Sequence, residues 1–452
     1  MIKNVFFVNY LALVILILTC RTAYAEDQGI AAKADTATTW EQLQHTSLEK
    51  LNSALTQTPG TAERAWLELA IISKRSSTQT QELVKQLLSF RQTYPDHPAN
   101  ALFPDDATLT TLLNTPPPSH IALLLPLHGP LGAQGKMIRD GFLSAYYQSL
   151  ADKTQQQTLV FYDTSHYKNM YTLYKQALRD GATLVIGPLA KDNVQQLLRQ
   201  NNFPTPVLVL NYTDAPSPNN VYQYGLSPID EAQQVADKAY QSGATQAILI
   251  APSDAWGERS ARSLITQWRA AGGTIRDAYY FKKNANFSQD IAKLMHIDPT
   301  ADRTRMRENN NKNTLAAQRR QDFDVIFLLA GPSDARIIVP LLKYYYAENI
   351  PVYATSVVDS STARHDPDLN GIHFLEIPRV LKNTPSSTKL DDVQYDRFYA
   401  VGLDAYLLSQ EWLRLSQLPR FPLYANTGAL SLAPANQIYR RLPWTQIHAG
   451  PT

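Results

Sequence analysis

The chain has 452 residues, 44% hydrophobic and 18% charged, which is enough apolar side chain for sizeable cores and excludes a wholly disordered chain; the length suggests about three domains. Lys and Arg number 42 against 40 Asp and Glu, a formal net charge of +2, so no chain-wide positive field is available to hold nucleic acid. A single cysteine rules out an internal disulfide framework and any multi-thiolate zinc or iron–sulfur centre.

That cysteine is Cys20, at the end of an N-terminal apolar stretch over residues 5–18 that is interrupted by Asn9 and preceded by Lys3. The stretch is short for a membrane span and fits a secretion signal. Two processing sites compete. Ile17-Leu18-Thr19-Cys20 resembles a lipobox, whose Cys would be acylated after removal of residues 1–19; Ala23-Tyr24-Ala25 is an ordinary A-x-A site that would release residues 1–25.

Residues 26–39 are small and polar, as expected of a flexible tether. Three helical patterns follow in a domain spanning 40–113: residues 40–55 with Leu43, Leu48, Leu51 and Leu55 near one face; residues 61–74 with Trp66, Leu69 and Ala70; and residues 80–91 with Leu83, Val84, Leu87 and Leu88. Tyr94-Pro95-Asp96-His97-Pro98 ends the last. Trp66-Leu67-Glu68-Leu69-Ala70 and the closing proline resemble a tetratricopeptide-type hairpin, although a small helical bundle explains the same pattern. Pro116-Pro117-Pro118 stiffens a linker over residues 114–119 and ends any helix.

From residue 120 apolar strand runs alternate with amphipathic helices. Runs at 121–127, 159–163, 184–187 and 207–211 are followed by a second series at 247–251, 274–281, 325–330 and 352–355, the rhythm of two parallel α/β lobes in tandem over residues 120–452. A strand at 372–377 and a long helix over 393–415 come after both series, so the chain is expected to return to its first lobe, making a hinge and a cleft. Between Asp298 and Gln321 the rhythm breaks: Arg303, Arg305, Arg307, Lys312, Arg319 and Arg320 stand against Asp302 and Glu308, a local charge of +4, read as a solvated insertion.

The catalytic motifs fail on composition. The loop Gly129-Pro130-Leu131-Gly132-Ala133-Gln134-Gly135-Lys136-Met137 follows a strand, but Pro130 has no N–H to offer a phosphate and Met137 cannot bind magnesium. Gly225-Leu226-Ser227-Pro228-Ile229 lacks the second glycine of a nucleophile elbow, and the nine histidines are scattered with no H-E-x-x-H. The expectation is therefore a protein that is not an enzyme and holds no metal or other cofactor.

Residues 121–142, Ile-Ala-Leu-Leu-Leu-Pro-Leu-His-Gly-Pro-Leu-Gly-Ala-Gln-Gly-Lys-Met-Ile-Arg-Asp-Gly-Phe, resemble the first strand and helix of type I periplasmic binding proteins, as do Leu184-Val-Ile-Gly-Pro-Leu189 and Ser253-Asp-Ala-Trp-Gly257. The chain is closer still to the LppC family, through Ile186-Gly-Pro-Leu-Ala-Lys-Asp-Asn-Val194, Leu226-Ser-Pro-Ile-Asp-Glu-Ala232, Val352-Tyr-Ala-Thr-Ser356, Asn426-Thr-Gly-Ala-Leu-Ser-Leu432 and Arg441-Leu-Pro-Trp444. This resemblance implies an α/β, bilobed, type I periplasmic-binding-protein-like module of two doubly wound parallel lobes behind a short all-α segment. It also implies a non-catalytic regulator that binds and activates a class A penicillin-binding protein, with peptidoglycan as a second candidate partner. The protein would lie on the periplasmic side of the outer membrane if Cys20 carries lipid, and in the soluble periplasm otherwise. The competing function is a solute-binding protein whose cleft closes on a small molecule such as an amino acid. Strand-end position nominates His128, Gly129, Gln134, Gly187, Pro188, Ser253, Asp254, Trp256, Thr355 and Ser356 as cleft-lining residues. Each also has a purely structural use: Gly and Pro in turns, Ser and Asp as helix caps, Trp in packing between lobes, His128 in one loop hydrogen bond.

Overall fold

A computed structural model describes residues 28–58, 60–150, 157–298, 319–359, 366–382 and 391–448. The signal segment with Cys20 lies outside these residues, as does nearly all of the basic insertion. Two compact units divide the chain: one takes the residues up to Pro118 together with 407–425 and 430–432, the other takes 119–406, 426–429 and 433–452.

The first unit is helical, with helices Gln28–His45, Leu48–Gln57, Thr61–Arg75, Thr80–Thr93 and Asp106–Asn114 before the prolines. Two expectations change here. The stretch expected as a tether is, from Gln28 on, the start of a helix. The single helix expected over 40–55 is two, because Ser47 adopts extended backbone and its side chain accepts the Lys50 N–H at 3.3 Å, starting a new helix.

The expected boundary at 120–452 is also corrected, because residues 407–425 belong to the helical unit. Leu418 and Phe421 are completely buried in one core with Trp40, Leu83, Leu87 and Leu109. The Trp40 ring lies 5.1 Å from that of Phe421, and its indole N–H donates to the Arg420 carbonyl at 2.9 Å. Arg414, 1% exposed, donates to the carbonyls of Phe421 at 3.2 Å, Pro422 at 3.3 Å and Ser77, with Glu411 at 3.6 Å. The long helix expected over 393–415 accordingly breaks at Glu411 into Asp391–Gln410 and Trp412–Gln417.

The second unit holds two sheets of the same design. In the first lobe, β1 (His120–Leu125), β2 (Thr158–Asp163), β3 (Leu184–Ile186), β4 (Val207–Val209) and β5 (Val221–Gln223) are parallel in the order 2-1-3-4-5, and strand Gln437–Arg441 joins β5, also parallel. In the second, β6 (Gln246–Pro252), β7 (Thr274–Phe281), β8 (Val325–Leu328), β9 (Val352–Ala354) and β10 (His373–Leu375) repeat that order, and strand Trp444–Gln446 adds to β10 antiparallel. All of β3, β4 and β8 is buried, as parallel strands covered by helices on both faces must be.

The chain passes between the lobes three times: from β5 into helix Pro228–Gln241, from β10 into helix Asp391–Gln410, and between Arg441 and Trp444. Helix Pro228–Gln241 places Ala232, Val235, Ala236 and Ala239 in one core with β6, β8 and helix Ala255–Ala271 of the second lobe. The expected return to the first lobe is made by helix Asp391–Gln410, which crosses helix Gly132–Leu150 closely. A Cβ on Gly141 would stand 2.0 Å from the Tyr399 carbonyl oxygen, and one on Gly402 2.0 Å from that of Ile138. The two backbones approach this near only because neither residue has a side chain.

Candidate functional site

In doubly wound sheets of this order the crevice lies beyond the carboxyl ends of the strands. His128 and Gly129 follow β1 there and are exposed. Gln134 is half-buried in helix Gly132–Leu150, and its Oε1 is buried without a hydrogen-bond partner. Gly187 and Pro188 after β3 are buried; Gly187 has φ +101°, and a Cβ there would meet the Leu124 carbonyl oxygen at 2.0 Å, so the position serves close strand packing.

After β6, the Ser253 N–H donates to the Phe281 carbonyl at 2.8 Å, and the exposed Asp254 caps helix Ala255–Ala271 by accepting the Gly257 N–H at 2.7 Å. Trp256 is half-buried against the core of the second lobe. Thr355 and Ser356, nominated for the cleft rim, are instead buried at 1% and 7% exposure. The Ser356 N–H and hydroxyl both donate to Glu231 Oε2, at 3.1 and 2.7 Å, so its polar groups are committed to the protein interior.

Ser356 opens onto a buried ionic network that spans all three crossings. Glu231 lies in the first turn of helix Pro228–Gln241, whose N-cap Ser227 accepts the Asp230 N–H. Arg440, 1% exposed, brings its guanidinium to 3.7 Å from Glu231 Oε1 and donates to the Thr427 carbonyl at 3.1 Å. Glu376, completely buried just after β10, is paired with Arg397 of helix Asp391–Gln410, which also donates to the Ser356 carbonyl at 2.8 Å. Gln234 closes the third crossing, donating to the Arg440 carbonyl at 2.9 Å and accepting the Leu442 N–H at 2.9 Å. Burial pushes the Glu231 carboxyl up, opposed by Arg440 and Ser356; burial also works against the charge of Arg397, but Glu376 outweighs it and raises that guanidinium.

A second buried carboxylate accounts for the Asn426-Thr427-Gly428 motif. Asp404 accepts the Asn426 N–H and side-chain amide, both at 2.9 Å, and the Thr427 N–H and hydroxyl, both at 2.6 Å. Thr427 Oγ1 lies 2.9 Å from the Tyr224 hydroxyl. Burial pushes the Asp404 carboxyl up against these four bonds. The motifs containing Glu231 and Asn426 resemble the family without pointing to a role, and Glu376, Arg397, Asp404 and Arg440 fall outside the residues nominated from the sequence. The available signal was an acidic or basic residue on a helix face otherwise facing the core, such as Glu231 beside Ala232 and Val235.

The histidines are not all scattered. His128 and His166 converge on Asp163 at the end of β2, with one ligand atom from each residue within 4.8 Å of the others. Burial works to raise the Asp163 carboxyl, but hydrogen bonds from Leu127, Ser165 and His128 outweigh it and hold it well below the usual carboxylate range.

Among known proteins, the family model described as "LppC putative lipoprotein" matches residues 23–450. The penicillin-binding protein activator LpoA of Vibrio antiquarius is 28% identical over 399 residues, covering 84% of this chain and 66% of that protein. The chain thus spans just under two thirds of that relative's length. A crystal structure of LpoA from Haemophilus influenzae superposes with a TM-score of 0.61 at 26% identity, covering 94% of this chain and 74% of the other. A Chromobacterium violaceum protein described as "a putative branched-chain amino acid ABC transporter" superposes with a TM-score of 0.55 at 25% identity, covering 72% and 99%. This last likeness is consistent with a module of periplasmic-binding-protein type. A match over almost the whole chain, through both units, means that the chain belongs to the LppC family.

Proposed function

We propose that this protein is a non-catalytic periplasmic regulator that binds a class A penicillin-binding protein and raises its glycan-polymerising and cross-linking activity. The observation that carries the reading is the family match across residues 23–450, with a relative named as a penicillin-binding protein activator. The geometry agrees with it. The buried acids and bases at the lobe junction are spent on one another, and Ser356 donates inward to Glu231. Such a fold offers a partner a surface and an orientation of lobes, and a regulator of this kind acts by binding one state of its partner better than another.

Three finer readings belong to the same proposal. The helical segment before the prolines is a tetratricopeptide-like element packed as a single short unit. Peptidoglycan is a second partner. Cys20 carries the lipid that holds the protein at the outer membrane; palmitate should label the wild type and not Cys20→Ala, and a mature chain beginning at Glu26 would overturn the anchor.

The central test is glycan polymerisation by a purified class A synthase of the same cell, with and without this protein. The expected result is direct binding and faster polymerisation. Absence of binding, together with stabilisation by one small molecule of about 2.7 kcal/mol at a hundredfold excess over its dissociation constant, would establish solute binding instead.

A further inference from the structure

We propose that His128, Asp163 and His166 form an open binding site for a divalent transition-metal ion, Zn²⁺ or a close chemical relative, at the carboxyl ends of β1 and β2. Asp163 and His166 are three residues apart at the end of β2, and the fold brings His128 to them from 35 positions away. β1 and β2 pair in parallel with Leu125 opposite Asp163, so the loop after β1 sets His128 beside the end of β2, and the single helical turn Thr164–His166 folds His166 back over it.

Asp163 is a fixed point. Its Oδ1 accepts the N–H of Leu127 at 3.0 Å, the N–H of Ser165 at 3.0 Å and the Ser165 hydroxyl at 2.7 Å. These bonds are enough to hold both loops, and they leave Oδ2 for the imidazoles. His128 Nδ1 lies 2.5 Å from Oδ2 and His166 Nε2 3.4 Å from it, with the ring centroids 5.6 Å apart.

A tetrahedral ion with ligand bonds of about 2.0–2.1 Å separates its ligand atoms by about 3.4 Å. The His166 contact already has that spacing. His128 needs to withdraw by about 1 Å, a small rotation for an exposed side chain, and the ion then replaces the proton between His128 and Asp163. The histidine side chains are 67% and 69% exposed, while that of Asp163 is 13% exposed, so neither ring is held in place by burial. Loop closure needs only Oδ1, so the second oxygen, which gathers both imidazoles, can pass to a shared ion without opening the loops.

Two imidazoles and one carboxylate suit Zn²⁺, Ni²⁺ or Cu²⁺ better than Mg²⁺ or Ca²⁺, which prefer all-oxygen sets. A fourth position faces solvent, open to water or to a donor from outside the chain. The proposal is independent of the synthase reading.

The test uses the untagged mature chain, stripped with chelator and titrated with Zn²⁺ by calorimetry and with Co²⁺ by visible absorption. One ion per chain is expected, with a Co²⁺ ligand-field band, and His128→Ala and His166→Ala should each weaken binding by roughly tenfold or more. His296→Ala, elsewhere in the unit, should leave binding unchanged. All three sites lie on exposed side chains, so folding is not at risk, and circular dichroism checks it. Binding that survives the double variant His128→Ala/His166→Ala, or no saturable binding by the wild type, would overturn the site and leave Asp163 as a loop clamp only.

Discussion

At the scale of single residues, stability at the lobe junction depends on buried charges whose partners are fixed. Removing one member of a buried pair leaves the other uncompensated, which costs about 3–5 kcal/mol. Arg397→Ala, which strands the fully buried Glu376, should lower unfolding free energy by that order in a urea titration. Asp404→Ala deprives four donors of their acceptor at once and should cost about 3 kcal/mol or more, read by the same titration with far-UV circular dichroism to confirm the fold. Surface acids act differently. Asp322 is held from the ordinary 3.8 down to about 2, first by its hydrogen bond with Arg320. A carboxyl whose folded pKa is depressed contributes stability that is present above its unfolded pKa and lost as pH falls through its folded one. Asp322→Asn should therefore lower the denaturation midpoint at pH 7 and have a shrinking effect as the pH is taken from about 4 towards 2.

At the scale of elements, two helix contacts distinguish this chain from a generic α/β repeat. Helices Gly132–Leu150 and Asp391–Gln410 cross with Gly141 and Gly402 against each other's backbones, so a side chain at either place must push the helices apart. Gly402→Val should destabilise by at least about 2 kcal/mol in thermal or urea unfolding, whereas Ala at the half-buried Gly331, where a Cβ meets nothing within 4 Å, should cost clearly less, no more than the loss of a glycine N-cap. The break at Ser47 is a cap rather than a defect in periodicity, and Ser47→Ala should cost about 1 kcal/mol by urea titration with little change in helix content.

At the scale of the whole molecule, the helical unit is completed by residues from the far end of the chain. Leu418, Phe421 and Arg414 are buried there, so a fragment beginning at Ser119 carries uncovered apolar surface and an arginine that has lost its bond to the Ser77 carbonyl. Proteolysis within residues 115–118 should give two pieces that stay together on gel filtration under native conditions. The isolated piece from 119 onwards should aggregate, and its behaviour as a soluble compact monomer would show that residues 407–425 contribute nothing to the helical core.

Periodicity alone located nearly every strand of both lobes, because parallel strands buried on both faces must be apolar runs and helices between them must be amphipathic. It missed β5 and the C-terminal strands, Leu423–Tyr424 and Ala429–Ala433 among them, which lack the continuous apolar run of the strands that were located. The family motifs contain Glu231, Ser356, Asn426 and Thr427 but not their partners Glu376, Arg397, Asp404 and Arg440. The reason is tertiary: Glu231, Glu376, Arg397 and Arg440 come from places up to 209 positions apart, and only the three chain crossings make them neighbours. The same holds for His128 with Asp163 and His166, which are 35 and 38 positions apart until parallel pairing of β1 and β2 closes the gap. Local propensity is written in the order of residues along the chain; which charges become partners is decided by strand register and by where the chain crosses, and those depend on the whole fold at once.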